Sequence, residues 1–522
     1  MIRLEVDGRA GATREGATLL EALRGHGIRI PTLCHREGLR PSSSCMVCVV
    51  MERTAGRLLP SCATPAAEGM AVETDTPEVH QARQGALDLL LADHVGDCAA
   101  PCQRGCPAHM DIPAMNRRIA AGDAARAAEI ALRHIALPSS LGRVCPAPCE
   151  RVCRRGKLDA PVSICLLKRF AGDALPDVPG RPPRLAPPSG KTVAVVGAGP
   201  AGLAAAYHLL ELGHGVSIVD RKERPGGMLR YGVSPGRLPP EVLERETERI
   251  LGMGARFHPG RTLGGDVSLE RLSRSHDAVV IAVGALPRER ISTLGLETTG
   301  GGIRIDPRTF AASRPGVFAG GDAVHPVRLA VRAVAHGRRI ASSVDRFLGG
   351  EGFRDEVASF VSVLGPPSHG EILEVGRGAS TTNRNPGPSG YSPAEAEDEA
   401  RRCLRCDCRK KDACALQALA AEFGARQGRH RIRSRRPFRR LREHPELLLE
   451  AGKCIRCGLC IQAAAEAGDG PGLSFRGKGF DMEIAPPVGH TLQEALGPLG
   501  AAAAAGACPT GAISRNVPEE ER

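Results

Sequence analysis

The 522-residue sequence contains no tryptophan, and aromatic residues make up only 3% of it. Its cores must therefore be built mainly from Ala, Val, Leu and Ile. No stretch approaches the roughly 18 uncharged apolar residues of a membrane-spanning helix. The N-terminal segment MIRLEVDGRAGATREG also lacks the apolar core of a signal peptide. We therefore expect a soluble, cytoplasmic protein.

Cysteine, in contrast, is abundant: the chain has 19 cysteines, together with 63 glycines and 41 prolines. The cytosol keeps thiols reduced, so this number predicts metal sites rather than disulfide bonds. The formal net charge is +12. Such a balance can indicate nucleic acid, an anionic membrane or an acidic partner. However, clusters ligated by four thiolates are themselves negative and would offset part of this charge.

Composition and periodicity divide the chain into four segments. An alternating pattern with a tight turn predicts a β-rich segment over 1–77, and residues 78–175 read as helical. Strand and helix patterns alternate over 190–365, between two proline-rich stretches. Helices and cysteine groups follow over 393–522. We predict a multidomain chain of α+β and α/β type with one Rossmann-type domain.

The first four cysteines have the spacing of a two-iron cluster site. A Cys-x2-Cys pair on the small polar loop SSSCMVC has one cysteine before it and one after it: Cys34, Cys45, Cys48 and Cys62. Soft thiolates suit iron, whereas a zinc site, the alternative, usually uses two close pairs. With IPTLCH, LPSCATPAAEGM and VETDTP, the segment resembles the ferredoxin domain of the complex I large iron–sulfur subunit and related hydrogenases. The resemblance implies a β-grasp fold and one [2Fe–2S] cluster.

Seven further cysteines fall just short of the eight ligands that two four-iron clusters need. The runs HVGDCAAPCQRGCPAHMDIP and GRVCPAPCERVC resemble the helical domain of the glutamate synthase small subunit, also found in dihydropyrimidine dehydrogenase. In that family, two cysteine-rich stretches interleave to hold two [4Fe–4S] clusters. The resemblance implies two ligand sets, Cys98, Cys102 and Cys153 for one cluster, and Cys106, Cys145 and Cys149 for the other.

The segment departs from that family at two positions. Val95 stands where the family usually has a cysteine, and the adjacent His94, four residues before Cys98, resembles the histidine ligand of a complex I cluster. Lys168 stands where the family tends to have Gln or Glu, and a charged lysine is a poor iron ligand. We expect His94 and Cys165 to be ligands. The alternatives are a surface or helix-capping histidine and a small buried cysteine.

A glycine fingerprint lies between a buried strand and a helix, as dinucleotide binding requires. Its glycines, Gly197, Gly199 and Gly202, permit a tight turn, close approach to a pyrophosphate and helix packing. Asp220 ends the next strand and can accept hydrogen bonds from a ribose. PGGMLRYGVSPGRLP and GVFAGGDAVHPVRLAVRAVAHGRRIA resemble the glutamate synthase small subunit and its FAD-dependent relatives. The resemblance implies FAD contacts at Gly226, Gly227, Gly320, Gly321 and Asp322.

The second nucleotide domain of that family has no visible counterpart here. In the family, an NADPH-binding domain with its own fingerprint is inserted within the FAD domain. In this chain DAVVIAVGALPRER is followed almost at once by GLETTGGGIRIDPRTF, and no second G-x-G-x-x-G or A follows a strand. We predict that the domain is deleted and that this chain has no NAD(P)H site of its own.

Two cysteine groups near the C-terminus predict two more four-iron clusters. RRCLRCDCRKKDACALQ holds four cysteines within twelve residues, and the following ALQALAAEFG resembles the complex I large subunit; a zinc knuckle is the alternative. KCIRCGLC with a remote Cys-Pro is typical of a ferredoxin half-site. The expected ligands are Cys403, Cys406, Cys408 and Cys414 for the first group, and Cys454, Cys457, Cys460 and Cys508 for the second.

The chain is thus predicted to hold FAD, one [2Fe–2S] and four [4Fe–4S] clusters, and no catalytic side chain is identified. The leading hypothesis is an electron-transfer subunit that connects a flavin to a partner such as a formate dehydrogenase, a hydrogenase or an NADH-oxidising subunit. One alternative is a self-sufficient NAD(P)H-dependent oxidoreductase. Another is a redox sensor that binds nucleic acid through HRIRSRRPFRRLR, although only Phe438 interleaves these arginines.

Overall fold

The computed structural model describes residues 1–175, 185–326, 328–352, 362–384, 390–430 and 435–516. Their contacts divide the chain into two units. The first unit comprises Met1–Ala99, Glu356–Arg377 and Cys406–Arg522, and the second comprises Ala100–Asp355 and Gly378–Arg405. The first unit is therefore built from both ends of the sequence, and most of the second unit lies between them along the chain.

The described residues form strands and helices numbered along the chain. The strands are β1 (Ile2–Val6), β2 (Arg9–Thr13), β3 (Val49–Glu52), β4 (Arg57–Pro60), β5 (Met70–Glu73), β6 (Thr192–Val196), β7 (Gly215–Val219), β8 (Arg256–His258), β9 (Ala278–Ile281), β10 (Thr298–Thr299), β11 (Gly302–Ile303), β12 (Val317–Ala319), β13 (Leu447–Leu449), β14 (Ser474–Arg476), β15 (Glu483–Ala485) and β16 (Ile513–Arg515). The helices are α1 (Leu19–Gly25), α2 (Pro77–Ala92), α3 (Pro101–Gly105), α4 (Ile112–Ala120), α5 (Ala124–Leu132), α6 (Pro138–Val144), α7 (Pro148–Arg151), α8 (Ile164–Asp173), α9 (Pro200–Glu211), α10 (Met228–Tyr231), α11 (Pro240–Gly252), α12 (Leu269–Ser275), α13 (Arg288–Ser292), α14 (Ala330–Phe347), α15 (His369–Gly376), α16 (Pro393–Arg401), α17 (Ala415–Glu422), α18 (Leu459–Ala467), α19 (Leu492–Ala495) and α20 (Pro498–Ala507).

The first unit begins with a mixed five-stranded sheet in the order β2–β1–β5–β3–β4. Strand β1 pairs antiparallel with β2 and parallel with β5. Helix α1 starts at a capping box, in which Thr18 and Glu21 satisfy each other's backbone N–H groups. Its buried Leu19, Leu20 and Leu23 share one core with Leu4 of β1. A mixed sheet with a packed helix agrees with the predicted ferredoxin-like fold.

The C-terminal part of the first unit has its own small core. Strand β13 pairs antiparallel with β16, and β14 pairs antiparallel with β15. Helices α18 and α20 pack together. Alanines such as Ala464 and Ala504 are almost fully buried in this core, together with Leu449 and Ile513. Small side chains let the helices approach closely, which replaces the aromatic bulk that the sequence lacks.

The second unit contains a helical part, α3 to α8 with α16, and a Rossmann-type part. Helix α6 packs on α8, where a Cβ on Gly172 would lie only 2.7 Å from the backbone nitrogen of Ser139. The buried carboxylate of Glu246, on α11, accepts hydrogen bonds from the backbone N–H groups of Ser139 and Ser140 at the start of α6. A carboxylate at this position satisfies two otherwise unpaired donors of the helix.

The Rossmann-type part is a parallel sheet in the order β12–β9–β6–β7–β8. All four residues of β9 and the last four of β6 are buried, as expected of a strand covered on both faces. Because the strands are parallel, the carboxyl ends of β6, β7, β9 and β12 lie along the same edge. The predicted multidomain architecture with one Rossmann-type domain is confirmed. Within the residues described above, no helix has the length and apolar character needed to cross a membrane.

Candidate functional site

The four N-terminal cysteines lie together in the first unit. Cys34, Cys45, Cys48 and Cys62 are each no more than 4% exposed. The thiols of Cys34 and Cys45 are within hydrogen-bonding reach, and this contact lowers the pKa of Cys34 to about 5. The same contact between Cys48 and Cys62 lowers the pKa of Cys62 to about 7. Two adjacent thiol pairs in a dry loop fit the four ligands of a two-iron cluster.

The loop that carries these cysteines directs backbone N–H groups at sulfur. Ser44 and Cys45 donate backbone hydrogen bonds to the sulfur of Cys34, and Val47 donates one to Cys45. Ser43 and Met46 adopt positive φ angles of 49° and 53°, which wind the loop tightly enough to do this. Such hydrogen bonds stabilise a negative cluster.

The last cysteine group lines a small cavity in the first unit. All four sulfur-bearing residues, Cys454, Cys457, Cys460 and Cys508, contribute to its wall, together with apolar side chains such as Leu449 and Ile513. The backbone N–H of Arg456, a residue with φ of 54°, donates to the sulfur of Cys454 at 3.3 Å. A cavity walled by four thiols and apolar atoms fits a four-iron cluster.

The family resemblance groups Cys98 with Cys102 and Cys153, but the described neighbours of Cys98 are other cysteines. Its thiol interacts with Cys408 and Cys414, and burial raises its pKa to about 12. The backbone N–H of Cys408 donates to the carbonyl oxygen of Cys98 at 3.1 Å. The N–H of Ser362 donates to the Cys98 sulfur at 3.3 Å. The structure therefore brings Cys98 together with two cysteines about 300 positions away, because residues 100–405 fold largely as a separate unit between them.

His94 belongs to the same region of the first unit. Its side chain is buried, and its Nδ1 has no hydrogen-bond partner among the residues that the structure describes. Burial and the neighbouring Lys453 and Arg436 lower its pKa to about 3, which keeps the imidazole neutral. A neutral, buried nitrogen without a hydrogen bond fits a metal ligand better than a surface or capping histidine.

Four cysteines of the second unit surround one buried lysine. Cys106 and Cys145 stand at the C-terminal ends of α3 and α6, Cys149 is in α7, and Cys165 is in α8. The thiol of Cys145 hydrogen-bonds to that of Cys165, which also contacts Cys149. This places Cys165 with the three cysteines that the family resemblance groups together. The arrangement fits a four-iron cluster with four thiolate ligands.

Lys168 lies three residues after Cys165 on the same helix and is 3% exposed. Burial alone would lower the pKa of its ammonium group, but the thiols of Cys165, Cys145, Cys149 and Cys106 raise it. Its Nζ lies 3.8 Å from the Cys165 sulfur. Sequence reasoning treated Lys168 only as an unsuitable ligand. The i,i+3 spacing from Cys165, which puts both side chains on one helix face, was the available signal for its position.

The remaining cysteines of the second unit are Cys102, Cys153 and Cys403. Cys153 is close enough to Cys403 for the two thiols to interact. Cys403 follows α16, where the fully buried Arg402 pairs with Glu399 and Asp159. Cys406 belongs to the first unit, where it faces Arg440. The expected set of Cys403, Cys406, Cys408 and Cys414 is thus divided between the two units.

Three cysteine groups of the first unit are close together. Cys34, Cys45, Cys414 and Cys457 contact one apolar cluster that also contains Leu87 and Leu419. The backbone of Arg40 exchanges two hydrogen bonds with the Gln462 side chain on α18, of 2.9 and 3.2 Å. The Cβ of any residue replacing Gly511 would lie 2.3 Å from the Cys408 sulfur, so this thiol lies against the turn after Cys508. The expected ligand groups in this unit are therefore neighbours.

The glycine fingerprint forms a backbone cradle at the carboxyl end of β6. A Cβ at Gly202 would lie 1.8 Å from the carbonyl oxygen of Gly197, and a Cβ at Gly227 would lie 2.6 Å from the Cα of Gly199. Gly227 also has a φ of 52°. Only glycines allow these segments to approach, and the N-terminus of α9 faces the space they leave. The cradle fits a dinucleotide pyrophosphate.

Asp220 lines a pocket next to the glycine fingerprint. Gly197, Asp220 and three arginines, Arg221, Arg261 and Arg290, are among its lining residues. The Asp220 carboxylate accepts hydrogen bonds from the backbone N–H groups of Ala198 and Lys222, at 2.6 and 2.8 Å. A carboxylate can accept further bonds, so ribose hydroxyls remain compatible with it. The arginines are site residues that the sequence patterns did not single out.

The loop of Gly320, Gly321 and Asp322 follows β12 at the same sheet edge. His336, on α14, accepts a hydrogen bond from the Gly321 N–H through Nδ1 at 3.2 Å. Burial and the neighbouring Arg339 and Arg332 lower the pKa of His336 to about 4, so it acts as a neutral acceptor. His336 therefore holds the loop in place. It lies in the segment GVFAGGDAVHPVRLAVRAVAHGRRIA, whose similarity was the only sequence signal for it.

Residues 282–316, all of which the structure describes, join β9 to β12. They form α13, the β10–β11 hairpin and two isolated bridges, from Ile305 to Ala312 and from Ala311 to Phe318. No parallel sheet is present within this segment. The chain returns to the Rossmann-type sheet at Val317.

The arginine-rich segment lies only partly within the described residues, since residues 431–434 fall outside them. Arg435 pairs with Glu371, Arg436 with Asp93, and the buried Arg440 with Glu450. The described arginines named here are therefore engaged in ion pairs within the first unit. This favours a structural role for them over nucleic-acid binding.

Three family models match consecutive parts of the chain. A 2Fe-2S iron-sulfur cluster binding domain matches residues 1–77, and dihydropyrimidine dehydrogenase domain II, 4Fe-4S cluster, matches residues 77–177. A pyridine nucleotide-disulphide oxidoreductase model matches residues 191–337. These matches support iron–sulfur and flavin cofactors in this chain.

The curated relatives of this chain include subunits of several oxidoreductases. The NADP(+)-dependent formate dehydrogenase subunit beta of Moorella thermoacetica is 39% identical over 226 residues, 39% of this chain and 32% of the relative. The glutamate synthase (NADPH) small chain of Mycobacterium tuberculosis is 39% identical over 208 residues, 39% of this chain and 42% of the relative. The NADPH-Fe(3+) oxidoreductase subunit beta of Geobacter sulfurreducens is 40% identical over 206 residues, 38% of this chain and 30% of the relative.

The matched part of the chain thus spans between 30% and 42% of the length of these relatives. The predicted similarity to the glutamate synthase small subunit is confirmed by the match to its small chain.

Proposed function

We propose that this chain is an electron-transfer iron–sulfur flavoprotein, a subunit that relays electrons between FAD, five clusters and a partner redox subunit. The observation that carries the proposal is the assembly of remote cysteines into buried groups, as when Cys98 meets Cys408 and Cys414. All 19 cysteines are free thiols. Free thiols gathered in close groups are the ligands that iron–sulfur clusters use.

The contacts support four complete ligand sets, each within one unit. We assign a [2Fe–2S] cluster to the N-terminal cysteines, and [4Fe–4S] clusters to the other three sets. The sets are Cys34, Cys45, Cys48 and Cys62; His94, Cys98, Cys408 and Cys414; Cys454, Cys457, Cys460 and Cys508; and Cys106, Cys145, Cys149 and Cys165. Of the remaining cysteines, Cys102, Cys153 and Cys403 belong to the second unit, and we assign these three to the fifth cluster.

Such clusters transfer single electrons, and FAD can exchange one or two. The residues of the chain bind these groups and control their surroundings. The N–H groups of Ser362 and Arg456 donate to the sulfurs of Cys98 and Cys454. Apolar side chains around Cys457 would keep water away from a cluster held there. Gly202 and Gly227 leave room for the flavin nucleotide. No described residue needs to act as an acid, a base or a nucleophile in this scheme.

Electrons are expected to reach the flavin from clusters or from a partner subunit. The connection over residues 282–316 supports this, since it holds a short helix and a hairpin where the glutamate synthase resemblance implies a nucleotide domain. The formate dehydrogenase and NADPH-Fe(3+) oxidoreductase relatives are beta subunits, which supports a partner subunit for this chain. The free thiols agree with a reducing, cytoplasmic compartment.

An anaerobic reduction experiment tests this function. The purified full-length chain is loaded with iron, sulfide and FAD, then mixed with NADH or NADPH while the flavin absorbance is followed. We expect no rapid bleaching by either nucleotide and full reduction by dithionite. Rapid bleaching by NADH or NADPH would instead identify a self-sufficient oxidoreductase. Failure of the chain to retain both flavin and iron would remove the proposal altogether.

A further inference from the structure

The buried lysine of the second unit has no role in the scheme above. Lys168 extends from α8 into the group of Cys106, Cys145, Cys149 and Cys165. Removing an ammonium group from water costs several kcal/mol unless opposite charge compensates it. A lysine that is 3% exposed therefore needs a negative partner.

The carboxylate of Glu150, which contacts this cysteine group, is already paired. Glu150 accepts a hydrogen bond from the Cys165 backbone N–H at 2.9 Å and forms an ion pair with Arg384 at 2.8 Å. In the described part of the second unit, the Lys168 ammonium group donates a hydrogen bond to the Cys165 sulfur, at 3.8 Å. Sulfur, rather than a carboxylate, is thus the partner of this charge.

A four-iron cluster with four thiolate ligands is a suitable counter-charge. It carries net negative charge, and one-electron reduction increases that charge by one. A positive group and an N–H donor next to a ligand sulfur stabilise the reduced state more than the oxidised state, which raises the reduction potential.

We propose that Lys168 donates a hydrogen bond to the Cys165 sulfur and raises the reduction potential of the cluster held by Cys106, Cys145, Cys149 and Cys165. The inference rests on the proposed function, because it requires this cluster. It adds a determinant of the electron path: the cluster in the flavin's own unit accepts an electron more readily than its thiolates alone would allow.

The test is a redox titration of the loaded full-length chain, monitored by electron paramagnetic resonance. The Cys106→Ser variant identifies the signal of this cluster by its loss. We expect Lys168→Met to shift the midpoint potential of that signal to a lower value. Lys168→Arg keeps the positive charge, so its midpoint potential should stay close to that of the wild type. Lys157→Met removes the same charge from an exposed position of the second unit and serves as the matched control. An unchanged midpoint in Lys168→Met, or an equal shift in Lys157→Met, overturns the inference.

A second measurement needs no substitution at Lys168. Wild-type protein labelled with ¹⁵N only in lysine is reduced, and the hyperfine spectrum of the same signal is recorded. We expect a ¹⁵N coupling in this signal that disappears in Lys168→Arg labelled in the same way. Its absence in the wild type overturns the inference even if Lys168→Met fails to assemble the cluster. The proposed function fails separately, when the wild type shows no signal that Cys106→Ser removes.

Discussion

Each unit buries a lysine beside cysteine thiols, but the two lysines differ in their partners. Lys453, in the first unit, is 2% exposed and pairs with Glu450, which also pairs with the buried Arg440. Lys168, in the second unit, has sulfur as its partner. Lys453 therefore has a carboxylate partner in addition to the nearby Cys408 thiol, whereas the described partners of Lys168 are thiols. The role of a buried lysine is therefore indicated by the group that compensates its charge, and not by its burial alone.

The cysteine groups of the two units also differ in how far apart their members lie along the sequence. In the second unit, the four cysteines around Lys168 come from one stretch of 60 residues, from 106 to 165. In the first unit, Cys98 lies next to Cys408 and Cys414, which are about 300 positions away along the chain.

Replacing one cysteine ligand tests this difference, and it should have the largest effect of the changes considered. Cys98→Ser and Cys408→Ser should each remove the same paramagnetic signal and up to about four irons per chain.

The matched variants for that test are Cys153→Ser and Cys403→Ser, which should remove a different signal. Iron analysis and electron paramagnetic resonance of the reduced protein measure both effects. If Cys98→Ser and Cys153→Ser abolish one common signal, the grouping proposed for the first unit is wrong.

Glu450→Gln should have the next largest effect, because it removes the buried carboxylate with which both Arg440 and Lys453 pair. Removing one partner of a buried ion pair costs about 3–5 kcal/mol. The expected result is loss of the clusters' visible absorbance at clearly lower urea concentration. Glu68→Gln is the control, since Glu68 pairs with Arg3 on the surface and exposed pairs contribute about 1 kcal/mol or less. Similar urea midpoints for the two variants would show that the Glu450 network is not important for stability.

Gly202→Ala should weaken flavin binding in the second unit while its clusters remain. The new Cβ would lie 1.8 Å from the Gly197 carbonyl oxygen, so the cradle must widen. Overpacking of this kind costs about 1–3 kcal/mol, or about tenfold to hundredfold in FAD affinity. Gly236→Ala, where a Cβ meets no atom within 4 Å, is the matched control. Equal FAD content in the two purified variants would contradict the assigned cradle.

The smallest expected effect is on the pH dependence of the stability of the first unit. The Arg435 guanidinium beside Glu371 lowers the pKa of that carboxyl from 4.5 to about 2. A lowered pKa in the folded state contributes stability above pH 4.5 that is lost as the pH falls towards 2. The difference in urea midpoint between wild type and Glu371→Gln should therefore stay constant from about pH 8 to pH 5. It should shrink below pH 4.5, and a difference that grows on acidification would contradict this assignment.

Local sequence predicted the parts of the site that are built from local geometry. The N-terminal thiol pairs follow from a short loop, and the fingerprint follows from a strand, a glycine turn and a helix. The ion pairs of the arginine-rich segment could not be predicted in this way, because the partners Glu371 and Asp93 are remote in sequence. His336 was missed for a similar reason: its contact with Gly321 depends on how α14 packs against the sheet.

The sequence by itself determined the chemistry of this protein: thiol ligands in close spacings, a glycine fingerprint after a buried strand, and the order of the modules. Only the tertiary structure decided which thiols meet. Cys98 and Cys408 flank the second unit along the chain and are joined by a backbone hydrogen bond. Spacing specifies contacts within a few turns of backbone, whereas contacts across 300 residues are fixed by the packing of cores. The counter-charges of Lys168 and Lys453 were decided in the same way.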